Sequence, residues 1–76
     1  MDMNEWREEQ ALRKAKTRLR ARQRALVHKL TSKPETFRRD EKIQTELRRV
    51  AKLCLTLDVP LFVRLEEEIF NKVHES

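Results

Sequence analysis

The sequence has no glycine, no tyrosine, one cysteine and two prolines. Each shortage excludes something. Without glycine there is no phosphate-cradling loop and no dinucleotide fingerprint, because both need the backbone to approach a ligand where a Cβ would block it. One cysteine cannot form a disulfide within the chain, and no histidines, cysteines and carboxylates fall at metal-ligand spacing. The two serines, Ser32 and Ser76, stand at no suggestive spacing from His28 or His74, and no Glu-x-x-His pair occurs. An enzyme is therefore not expected, nor a cofactor, a metal or a small-molecule substrate. No apolar run is long enough to span a bilayer. The first residues, Met1-Asp2-Met3-Asn4-Glu5, lack the basic start and apolar core of a signal peptide, and an unpaired cysteine suits a reducing compartment. The expected location is cytoplasmic, away from membranes.

What is abundant is charge. Charged residues make up 41% of the 76-residue chain, with 18 lysines and arginines against 13 acidic residues and a net charge of +5. The balance is uneven: +5 over residues 1–32, +2 over 33–60 and −2 over 61–76. Such charge can mean disorder. Here the apolar residues instead fall into stripes at helical period, and Arg, Lys, Glu, Leu and Ala dominate, so one all-α domain is expected.

Three helices are expected, over residues 4–31, 35–57 and 60–74. In the first, Asp2 and Glu5 resemble a capping pair, and Leu12, Ala15, Leu19, Leu26 and Leu30 share one narrow stripe interrupted at Arg22 and Gln23. The break comes at Thr31-Ser32-Lys33-Pro34, where Ser32 and Glu35 read as a capping box. The short loop predicts that the second helix doubles back on the first. In the second helix Ile43, Leu47, Val50, Cys54 and Leu57 follow alternating steps of four and three, a coiled-coil-like seam. Asp58-Val59-Pro60 ends it, with Asp58 expected to cap the third helix. That helix has an inner face of Leu61, Phe62, Leu65, Ile69 and Val73, while Val63 and Phe70 lie on another side. The architecture is thus an antiparallel hairpin of two long helices with a short third helix against it. A chain this small often needs a partner to stabilise it. A homodimer is expected, with Val63, Phe70 and Leu47 as interface residues.

Function rests on the basic residues. From Arg13 to Lys29 there is no acidic residue. Arg13, Lys16, Arg20 and Arg24 share one face of the first helix. Arg38, Lys42, Arg49 and Lys52 form a second basic stripe opposite Ile43 and Leu47. Aligned cations bind phosphates without reading sequence, and arginine suits bidentate contact. The same pattern also serves merely to solubilise long helices. Trp6 lies on the side of Arg13, Arg20 and Arg24 and is the candidate for stacking on a base. The favoured reading of Trp6 is packing under the third helix or across a dimer contact. Cys54 reads as a core residue, Glu66-Glu67-Glu68 as a solvated face, and both histidines as surface residues. In composition the Arg13–Lys29 stretch resembles the helical arginine-rich peptides that bind RNA hairpins.

The expected function is a small binding module that engages nucleic acid through its basic faces. The alternative is an adaptor or inhibitor that regulates an acidic protein partner. A third reading is a structural piece that self-assembles.

Overall fold

A computed structural model describes residues 2–74, with Val73 and His74 described by their backbone alone. The described residues form four helices and no strand. The first, α1, runs Met3–Ser32. Asp2 starts it: its side chain accepts a hydrogen bond from the Asn4 N–H at 3.3 Å. Glu5 in the first turn and Lys29 in the last complement the helix dipole.

The α1 terminus differs from expectation. Ser32 is the last residue of α1, and Lys33 separates it from α2, Pro34–Arg39. Lys33 takes φ −142° and ψ 75°, as expected for a residue that a following proline keeps out of the helical region. No side chain caps α2, so the Ser32–Glu35 box does not form. The expected second helix is itself divided. Asp40 leaves the helical conformation and accepts from the N–H groups of Lys42 at 2.9 Å and Ile43 at 3.4 Å, which starts α3, Glu41–Leu57. An aspartate can satisfy the orphan donors of a new helix, and here that local bond interrupts the pattern. The short α2 places Phe37, fully buried, in the common core.

Asp58 also acts differently from expectation. It ends α3 in the left-handed conformation, at φ 55° and ψ 45°, instead of capping the next helix. The Val59 N–H reaches back to the Cys54 carbonyl at 2.9 Å, and both residues are buried. This is the geometry that glycine usually serves at a helix C-terminus. In a chain without glycine, aspartate is among the few residues that tolerate it.

The last helix, α4, covers Val63–His74 and so starts three residues later than expected. The reason lies in α1. The Gln23 side chain donates to the Pro60 carbonyl at 3.2 Å and accepts from the Phe62 N–H at 2.7 Å. Residues 60–62 are thereby held as a strap across α1.

The core draws Leu19, Leu26 and Leu30 from α1, Phe37 from α2, Leu47, Val50 and Cys54 from α3, then Val59 and Leu65. The long α1 packs against α2, α3 and α4. The molecule measures 49 × 23 × 19 Å, and its long dimension follows α1, whose thirty residues span about 45 Å. Buried positions on α1 begin only at Leu19. The first half of the helix is therefore an arm, on which Met3, Trp6 and Leu12 are exposed and Ala15 is half-buried.

Candidate nucleic-acid interface

The basic face of α1 forms because steps of three and four residues return to the same side of a helix. Neighbours at those steps stand about 5–6 Å apart, and Arg13 to Arg24 spans about 16 Å. Arg13, Arg20 and Arg24 are exposed and Lys16 is half-buried. None of the four pairs with a described carboxylate.

The second basic stripe does not assemble as expected. Arg38 lies on α2, separated from the others by the turn at Asp40. Its guanidinium forks onto the Glu68 carboxylate of α4 at 3.1 and 2.9 Å, the one salt bridge among the described residues. Arg38 thus ties α2 to α4. Lys42, Arg49 and Lys52 remain exposed on α3. Lys42 and Arg49 line a groove of about 570 Å³ with Arg22 of α1, Thr45, Glu41 and Glu46. Arg22 was read only as a break in the leucine stripe. Its position at the edge of that stripe is the signal that it faces the neighbouring helix.

Trp6 is 52% exposed. It sits about 25 Å along α1 from Gln23, where the α4 strap crosses, so packing under the last helix does not occur within the chain. Leu47, expected at a dimer interface, is 2% exposed and belongs to this chain's own core. Val63 and Phe70 are exposed, at 66% and 61%.

Two buried amides were missed as structural residues. Gln23 holds the strap. Gln44 donates to the Phe37 carbonyl at 2.7 Å and accepts from Lys72 Nζ at 3.0 Å, joining α2, α3 and α4. Among the described residues no buried side-chain nitrogen or oxygen lacks a partner. The sequence signal was present for Gln23: a polar residue in phase with Leu19, Leu26 and Leu30 must be hydrogen-bonded if it is buried.

Cys54 is buried, and desolvation raises its thiol pKa above the ordinary value, which disfavours the reactive thiolate. His28 is exposed, whereas the His74 and Val73 side chains lie outside the described residues. No group of three metal-ligating side chains occurs among the described residues. No described helix is long and apolar enough to cross a membrane. No protein-family model, curated protein or solved structure matches the chain.

Proposed function

We propose that this chain is a small non-enzymatic module that binds nucleic acid through the outer face of α1, acting in the cytoplasm as an accessory regulator. In this reading α1 and the α2–α3 pair form an antiparallel hairpin with a coiled-coil-like seam, which holds the basic face outward. One observation carries the proposal: an acid-free cationic run lies along an exposed helix face, and its arginines have no ion-pair partner among the described residues. Arg13, Arg20 and Arg24 supply bidentate contacts to phosphate oxygens, and Lys16 adds a point charge. Lys42, Arg49 and Lys52 of α3 offer a second set. Trp6, open on the arm, is placed to stack on an unpaired base. Arg38 is left out of the interface, because contact with phosphate would cost its bond to Glu68.

Binding should be read through phosphates and show little sequence preference. With four phosphates contacted, affinity should fall about 10²-fold between about 50 and 200 mM salt. Fluorescence anisotropy with labelled duplex and single-stranded DNA and RNA measures this directly. Joint reversal of Arg13, Arg20 and Arg24 to Glu should abolish binding with helicity unchanged. Absence of binding to all four probes at low salt refutes the proposal.

A second reading, a protein-binding adaptor or inhibitor, draws support from α4. Val63 and Phe70 give it an exposed apolar side that nucleic-acid binding does not use. Under that reading the arginine reversals would disrupt a protein complex that survives nuclease treatment.

A further inference from the structure

The exposed side of α4 has a chemistry opposite to that of α1. Val63 and Phe70 stand seven residues apart on it, about 10 Å along the helix, with Glu66 and Glu67 between them. These four residues and Asn71 line a depression of about 440 Å³. A second depression, of about 450 Å³, opens where α3 meets the strap, and its lining includes Leu55, Asp58, Pro60 and Leu61. Glu66 lines both. Neither contains a lysine or arginine, in a chain of net charge +5. Glu68 pairs with Arg38 inside the chain, whereas Glu66 and Glu67 are exposed and take part in no ion pair with a described residue.

An aromatic ring and a valine flanked by two carboxylates suit one kind of side chain above others. Arginine can lay its methylene stem on the apolar surface and fork its guanidinium onto a carboxylate. A helix carrying arginines at heptad spacing would repeat that contact with the period of Val63 and Phe70. The chain contains such a helix. Arg13 and Arg20 of α1 are seven residues apart, Arg24 follows one turn later, and all three are exposed.

We propose that the Val63–Phe70 face of α4 docks the arginine face of α1 from a second copy of this chain. The contact is one helix wide, with charge at its centre, so the assembly forms at micromolar concentration and weakens with added salt. It does not depend on nucleic-acid binding, although it uses the same arginines.

The test is sedimentation velocity on the nuclease-treated full chain at low salt, with charge-exchanged variants. Wild type is expected to self-associate. A variant with Glu66→Arg and Glu67→Arg should sediment as a monomer, as should one with Arg13→Glu, Arg20→Glu and Arg24→Glu. Mixing the two should restore the complex, because each supplies the face that the other now needs. Phe70→Ala should raise the dissociation constant at least tenfold. Circular dichroism verifies that the variants remain helical. If a reversal unfolds the chain, the milder Glu66→Gln, Glu67→Gln pair must still raise the dissociation constant at least tenfold. A monomeric wild type at high concentration overturns the proposal. So do variants that associate like wild type, or a mixture of folded variants that stays monomeric. In those cases α4 serves another arginine-bearing partner or none.

Discussion

The two halves of α1 make the most instructive comparison in the molecule. They share one helix and one leucine stripe, yet Leu26 is 1% exposed and Leu12 is 43% exposed. The difference lies outside α1. The seventeen residues of α3 reach only about 25 Å along it, against about 45 Å for α1 itself. Periodicity thus states which face would be buried, and the length of the neighbouring helix states how much of it is. The covered half holds the core, whereas the uncovered half leaves Trp6 and the first of the arginines exposed.

The largest test of this contrast uses two leucines on one stripe. Leu26→Ala should cost about 2–5 kcal/mol, as should Leu47→Ala on the opposing helix, since each leaves a cavity in a packed core. Leu12→Ala should stay within about 0.5 kcal/mol. Urea denaturation followed by circular dichroism measures all three. Equal losses at Leu12 and Leu26 would mean that the arm is covered, and the division of α1 would be wrong.

This contrast also marks what could be read from the sequence. The core residues Leu19, Leu26, Leu30, Leu47, Val50, Cys54 and Leu65 were legible, because a three-and-four step admits one face. The exposed arginines of α1 were legible for the same reason. The burial of Leu12 was misjudged, because it depends on where another helix ends. Polar residues were the harder class. Asp40 caps a helix where continuity was expected, whereas Asp58 lies where the second helix was expected to end and does end it, but does not cap the next. A short side chain that bonds local backbone groups serves either purpose, and spacing alone does not choose. Arg38 had the phase of a binding residue and became a tether, because Glu68 is distant in sequence and near in space.

A smaller effect is expected at Gln23, which holds the strap to the covered half. Gln23→Ala leaves the Phe62 N–H and the Pro60 carbonyl without their partner, in a partly buried setting. The expected loss is about 1–3 kcal/mol. Hydrogen exchange should show the Phe62 amide losing protection before the core amides of α3. Gln10→Ala, on the arm, should change neither quantity. If Gln23→Ala behaves like Gln10→Ala, the strap is held by Val59 and Leu65 alone.

The smallest effect concerns the point where cover over α1 stops, which is the end of α3 at Asp58. Its φ of 55° places a Cβ in the left-handed region, where non-glycine residues are disfavoured by about 1–2 kcal/mol. Replacement by glycine removes that penalty but gives the unfolded chain more freedom, which returns about 0.5–1 kcal/mol. Asp58→Gly should therefore stabilise the protein by roughly 0.5–1 kcal/mol, a rise in Tm of about 2–8 °C for a domain of this size. The substitution touches no core side chain, so the exposure of the arm should not change. A thermal melt monitored by circular dichroism gives the shift, and Trp6 fluorescence reports whether the arm has moved. A fall in Tm would mean that the Asp58 side chain makes a stabilising local bond that outweighs its backbone strain. A change in Trp6 emission would mean that the end of α3 shapes the arm as well as limiting its cover.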